Sequence, residues 1–107
     1  MTSDSMELGG NIELSGFKDM DGATMIVLKK IVGTYAKKFS EMCKNFEKLA
    51  VISKAVHERE KSEKYEIHVR VIDNGTPYNA NVTDFNLFFA LDSGLKKVEH
   101  EIEHRVH

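Results

Sequence analysis

The chain has only one cysteine, Cys43, so no internal disulfide can form and no cysteine pair is available for chemistry. Cys43 falls within a helical pattern, and no activating neighbour can be named for it, so it reads as a small packing residue. No run of eighteen apolar residues exists, which excludes a membrane-spanning helix. The opening MTSDSMELGG has neither the positive region nor the apolar segment of a signal peptide, and a cytoplasmic address is the expectation. Charge of one sign is also scarce: 15 Lys and Arg stand against 17 Asp and Glu, a formal net charge of −2 with His neutral. A nucleic-acid partner is therefore not announced by the sum of charges and has to be argued from their placement. Missing too are a Gly-rich phosphate loop after a strand, a nucleophile–base–acid set, and a carboxylate pair that could be placed in a pocket. The expectation is a protein that is not an enzyme and carries no cofactor.

What remains is ordinary for a globular protein. The 107 residues, 41% hydrophobic and 30% charged, suffice for one domain with one core. Residues 1–10 are polar, contain Gly9-Gly10 and read as a flexible N-terminal tail, leaving residues 11–107 as a single domain. From Asn11 to Phe17, Ile12 and Leu14 alternate with polar residues, as in a short strand. Gly16 and Asp19–Gly22 mark a turn, and Asp19 or Asp21 can cap the helix that follows. In that helix Leu28, Val32, Tyr35, Phe39 and Met42 recur at spacings of four and three and share one face, flanked by Ile31 and Cys43. Phe46–Val56 is strand-like with apolar residues on both faces, as in a central or well-covered strand. The all-polar His57–Lys64 reads as an exposed, mobile hairpin loop.

The segment Tyr65–Ile102 is the most regular. Tyr65, Ile67, Val69 and Val71 alternate with period two, and Asp73-Asn74-Gly75 supplies a tight turn. Tyr78, Ala80 and Val82 resume the alternation, and a helical period begins at Asp84, with Asp84 or Thr83 as its cap. Leu87, Leu91, Leu95, Val98, Ile102 and Val106 form the buried stripe of this last helix, and at least one of Phe88 and Phe89 covers the end of the core. The fold class expected is α+β, in the order β-α-β-β-β-α. A four-stranded, mainly antiparallel sheet carries both helices on one face, because each helix has one apolar stripe and each outer strand one apolar face. The other sheet face would present Glu66, His68, Arg70, Asn79 and Asn81 to water. It lacks the exposed aromatics of sheet-based single-strand RNA binders.

Charge placement is more informative than charge total. Counting about 100° per residue from Leu28, Lys37 lies opposite the buried stripe, with Lys30 and Lys44 about 20° to either side. Lys29, Lys38 and Lys48 are nearby, and Glu41 is the main acidic interruption. A solvated face is the commoner meaning of such a pattern, and a ridge that tracks phosphates is the sharper one. In the last helix Lys97, His100 and His104 lie near the outer pole, with acidic residues on both flanks. His100, His104 and His107 share a face at i, i+4 and i+7, a spacing a metal could use. All three stand on one element, however, and exposed histidines near a helix C-terminus are the preferred account, so no metal site is expected.

The order of elements and the stretch KYEIHVRVIDNGTPYNANVTDFNLFFALDSGLKKVEHEI resemble the ribosome hibernation-promoting factor family, also described as the ribosome-associated inhibitor or protein Y family. The shared pattern is an alternating strand, an Asn-Gly turn, a second strand, and a helix opening on an aromatic–Ala–Ile/Leu–Asp signature with a following lysine. Here these are Phe89, Ala90, Leu91, Asp92 and Lys97. IELSGF and LKKIVGTYAKKF are similar to the family's first strand and helix. The end of the last helix, VEHEIEH, is more acidic than the family's usual basic tail.

The resemblance implies a single-domain short form, without the C-terminal dimerisation domain of long forms. It implies binding to ribosomal RNA of the small subunit, in the channel used by tRNA and mRNA, and silencing of translation under stress. Carried over by position, Lys97 is the best matched contact, and Lys30, Lys37 and Lys44 match by helix and face. Lys38, His100 and His104 complete the expected RNA-binding set. A module for another structured RNA, and a protein-interaction or self-associating domain, are the alternatives. A homodimer is compatible with the sequence and not implied by it.

Overall fold

The structure, a computed structural model, describes residues 6–8, 11–57 and 63–106. The elements in order are β1 (Met6–Leu8), β2 (Ile12–Ser15), α1 (Gly22–Met42), β3 (Phe46–His57), β4 (Glu63–Asp73), β5 (Thr76–Asp84) and α2 (Leu87–Val106). From β2 onward this is the expected β-α-β-β-β-α order, and the class is α+β. A three-residue strand, β1, extends the sheet at its edge and falls within the stretch read from sequence as a tail. Residues 58–62, the middle of the expected hairpin loop, lie outside the described residues, as do 1–5, Gly9-Gly10 and His107.

The sheet order is β1-β2-β3-β4-β5. β2 and β3 pair in parallel, because α1 carries the chain back between them, and the other neighbours are antiparallel. The registers build apolar rows straight across the sheet. Leu14, Val51, Val69 and Ala80 make one row, and Ile12, Leu49, Val71 and Tyr78 make the next. Period two in every strand sends these rows to the same face, where both helices cover them. Leu28, Val32, Tyr35, Ala36 and Phe39 of α1 are buried there, together with Leu87, Ala90, Leu91, Leu95, Val98 and Ile102 of α2. The intervening rows, such as Ser15, Ile52, His68 and Asn81, occupy the opposite face. That face is uncovered by any described helix. It carries the expected Glu66, His68, Arg70, Asn79 and Asn81, with Lys48 and Glu13 paired at 2.8 Å and Ile52 half-exposed.

Local chemistry explains the element ends. Asp21 caps α1, its Oδ1 accepting from the Thr24 N–H at 2.7 Å. The cap of α2 is Asn86, whose Oδ1 accepts from the Phe89 N–H at 3.0 Å. The expected caps, Asp84 and Thr83, are instead the last residues of β5. Asp84 still contributes by accepting from the Asn86 N–H at 2.8 Å, which turns the chain out of the strand. Cys43 lies just past the end of α1 as its C-cap, and its N–H donates to the Phe39 carbonyl. Phe88 is the aromatic that packs on the core, and Phe89 stays 58% exposed.

The two tight points in the backbone have different causes. Asn74 and Gly75 adopt φ of 50° and 84°, the pair of left-handed residues that a two-residue type I′ hairpin requires. Gly16, at φ +85°, is enforced twice over, since a Cβ there would stand 2.0 Å from the Ser53 carbonyl oxygen. It is the point where β2, paired with β3, must leave the sheet toward α1. Replacing Gly16 by Ala should therefore cost at least about 3 kcal/mol, read as a lowered urea midpoint with unchanged m-value. A change below about 1 kcal/mol would mean that the β2–β3 approach is looser than described.

Candidate nucleic-acid interface

The two helices run in the same direction. Their first turns meet around a cleft lined by Met20, Thr24, Phe85 and Leu87, and further along Tyr35 meets Asp92 and Lys38 meets Glu99. The seam between them is acidic rather than basic. The Tyr35 hydroxyl donates to Asp92 Oδ1 at 3.2 Å, and Lys38 Nζ stands 3.8 Å from Glu99 and 5.0 Å from the Tyr35 ring centre. Glu41 and Glu103 line the same groove, beside Met42. Among the expected RNA contacts, and counting only partners among the described residues, Lys38 is thus the lysine whose ammonium is already engaged, although an ion pair this exposed contributes at most about 1 kcal/mol.

Lys30 and Lys37 are exposed on the outer side of α1, with Lys29 beside them, whereas Lys44, which helical counting places on the same face, is exposed past the C-cap Cys43, where the extended backbone has already left the helix. Among the described residues no carboxylate lies within ion-pair distance of any of the four. The exposed Ile26 continues the line toward the start of the helix, and nothing packs on Gly33, so the ridge is smooth along its middle. At its far end Lys44 shares a cleft with Asn74, Thr76, Tyr78 and Arg105. Arg105, in the last turn of α2, stacks its guanidinium 6.0 Å from the Tyr78 ring centre, so two cations meet at this corner, Lys44 from just past α1 and Arg105 from α2. The carboxylate in the cleft, Asp73, is 4% exposed and engaged with backbone: Oδ1 accepts from the Asn45 N–H at 2.8 Å and Oδ2 from the Lys44 N–H at 3.3 Å. It also accepts from the Cys43 thiol. Burial, followed by this carboxylate, pushes the thiol up to about 11, which leaves Cys43 protonated and unreactive at neutral pH.

The remaining expected contacts lie elsewhere. Lys97, His100 and His104 are exposed on α2. Lys97 is two residues from Glu99, which faces α1, and so stands about 160° around the helix from it, on the side away from the α1 lysines. The structure therefore separates Lys97 from Lys30, Lys37 and Lys44. The angle of each helix about its own axis says nothing of which flank turns toward the neighbour. Of the i, i+4, i+7 histidine set, His107 lies outside the described residues, leaving His100 and His104 one turn apart.

The sequence patterns single out neither Arg105 nor Phe85, which at 57% exposed stands near the equally exposed Phe89, at 58%. A basic residue in the last helical turn and an aromatic just before a cap were the available signals. Lys64 Nζ stands 5.1 Å from the Phe85 ring centre. No family model matches the chain, and no curated protein matches it.

The Tyr35–Asp92 contact is open to a direct check. Burial first, then the Asp92 carboxylate, raises the phenol from 10.0 to about 12. The unfolded chain releases this proton near 10 and the folded chain only near 12, so stability present below pH 10 is lost as pH rises through that interval. Urea midpoints of Tyr35→Phe should fall less steeply over this range than those of the parent. Parallel slopes would mean that the helices are not joined at this point.

Proposed function

We infer that the chain binds structured ribosomal RNA of the small subunit and belongs to the machinery that silences or stores ribosomes. The observation that carries this reading is the lysine ridge of α1. Lys30 and Lys37 follow one another along an exposed helix face with no carboxylate in range among the described residues, and Lys44, just past the end of the helix, meets Arg105. Cations held by a helix and by the turn that leaves it, with no carboxylate in range among the described residues, suit the phosphates of a folded RNA. Binding of this kind takes most of its free energy from released counterions. The β-α-β-β-β-α order agrees with the resemblance on which the reading was first based, and the polar open face of the sheet argues for phosphate and shape recognition over base stacking.

A protein-directed reading has its own support in the exposed Phe85 and Phe89 and in the acidic seam, Glu41, Glu99 and Glu103. The two readings differ in their response to salt and to charge reversal. Each lysine–phosphate contact adds a little under one unit to the slope of log affinity against log salt. The parent chain should sediment with small ribosomal subunits at low salt and be released at moderate salt. The triple variant Lys30→Glu, Lys37→Glu, Lys44→Glu should fail to co-sediment while keeping its circular dichroism and melting temperature. Retained co-sedimentation of that variant would remove α1 from the interface. A parent chain found in a soluble RNA complex, or in an RNA-free complex, would favour another RNA or a protein partner.

A further inference from the structure

The cleft at the corner where α1, the β4–β5 hairpin and α2 end has a volume of about 180 Å³ and is lined by Lys44, Asp73, Asn74, Thr76, Tyr78 and Arg105. Pockets that enclose a whole small molecule run to roughly 300–1,000 Å³, so this one suits a single head group. Three stretches remote in sequence are tied together here through backbone groups. The Asn74 N–H donates to the Asn45 carbonyl at 2.8 Å, and Asp73 takes the N–H groups of Lys44 and Asn45. Asp73 pairs with Thr76 across the turn. Two residues on, Tyr78 lies on the helix side of the sheet opposite Val71, where Arg105 reaches its ring. The walls of the cleft are thus fixed before any ligand arrives, which lowers the cost of binding one.

Most side chains on the cleft are donors with nothing to donate to. Among the described residues, the Lys44 ammonium, the Asn74 amide, the Thr76 hydroxyl and the Arg105 guanidinium make no hydrogen bond or ion pair. Tyr78 is the most informative of the set. It is 7% exposed, yet its hydroxyl has no hydrogen-bond partner among the described residues. That oxygen is not sealed from solvent, so it opens on the cleft that Tyr78 lines. The cations by themselves have a plainer account. Arg105 in the last turn of α2 and Lys44 just past α1 offset the partial negative charge of two helix ends. That account leaves the Tyr78, Thr76 and Asn74 donors unused.

Asp73, the carboxylate on the cleft, is occupied by two backbone N–H groups and the Cys43 thiol, and sets one negative charge against two positive ones. Such a site calls for an anion that accepts hydrogen bonds. The donors come from three separate chain segments, which suits the tetrahedral oxygens of a phosphate better than the single plane of a carboxylate. A guanidinium beside an ammonium is also the pairing that phosphate groups favour.

We propose that this cleft is an oxyanion site for one phosphate group, held by the Arg105 guanidinium and the Lys44 ammonium and oriented by the Tyr78 hydroxyl. The group is the same whether it is carried by a phosphate monoester or by the phosphodiester of an RNA backbone. The site goes beyond the ribosomal reading, because free phosphate fills it in the absence of RNA.

Titration of the isotope-labelled full chain with inorganic phosphate, followed by amide NMR at constant ionic strength, tests the site without RNA. The expected result is a saturable shift of the Lys44, Asn74, Thr76 and Tyr78 amides that sodium chloride does not reproduce. Tyr78→Phe removes a hydroxyl that bonds nothing in the protein, so the melting temperature should stay unchanged while phosphate binding weakens about tenfold, as loss of one hydrogen bond to a charged group does. Arg105→Ala should weaken binding at least as much. Methyl phosphate and dimethyl phosphate then separate the two sources. Shifts with the first alone assign the site to a monoester, and shifts with the second assign it to a backbone phosphate. Shifts that chloride reproduces, or that fall elsewhere on the chain, overturn the proposal. So does Tyr78→Phe binding phosphate as the parent does, or melting lower than the parent, since the hydroxyl would then be bonded within the protein. Loss of co-sedimentation with ribosomal subunits bears on the RNA reading and leaves this result standing.

Discussion

The type I′ turn at Asn74-Gly75 sets the parity on which the rest of the sheet depends. Once Asp73 is paired with Thr76, every later pair of β4 and β5 is determined, and with it the side to which each residue points. Val69, Val71 and Ile67 go to the helices, while Glu66, His68 and Arg70 go to water. A one-residue change in the turn would exchange core and surface along both strands. Asp73 holds this turn against the rest of the molecule, because its buried carboxylate takes the N–H groups of Lys44 and Asn45 as the chain passes from α1 into β3. A buried carboxylate of this kind is tolerated because its oxygens are occupied by donors.

The one-sided burial that follows has a consequence for charge. Packing both helices on one face brings Tyr35, Lys38, Asp92 and Glu99 together, so the seam between the helices gathers most of the acidic side chains of α2. The expected contacts other than Lys38 lie away from this seam: Lys30 and Lys37 on the outer side of α1, Lys44 beside Arg105 past its end, and Lys97 on the far flank of α2. A protein of slightly negative net charge thereby keeps exposed lysines on α1 with no carboxylate in range among the described residues. The sum of charges and the field at a given face are different quantities, and only the second bears on a phosphate backbone.

The hairpin, the two helical stripes and the α+β order were legible before the fold was known, because period two and period 3.6 are local properties of the chain. The cap of α1 was legible to within two candidates, Asp19 and Asp21, of which the structure selects Asp21. Asn86 was not, because Asp84 looks equally suitable until its place as the last residue of β5 is known. Phe88 and Phe89 could not be separated by pattern, since adjacent positions at the start of a helix both lie near the boundary of its stripe. The three-residue β1 was hidden in a polar segment whose strand character depends wholly on a neighbour, β2, to pair with.

Among the candidate contacts, the exposure of Lys30 and Lys37 could be read from helical spacing alone, whereas Lys44 lies past the end of α1, where that spacing no longer applies. Tertiary structure decided that Lys38 is engaged with Glu99 and Tyr35, that Lys97 stands on the opposite flank, and that Arg105 joins Lys44. The physical reason is that spacing fixes angles around one helix axis, whereas the rotation of that helix against its neighbours is set by which stripe the sheet buries. The amino-acid order of this protein thus determined which side chains lie outside. Only the packing of two helices on one sheet face decided which of them stand together.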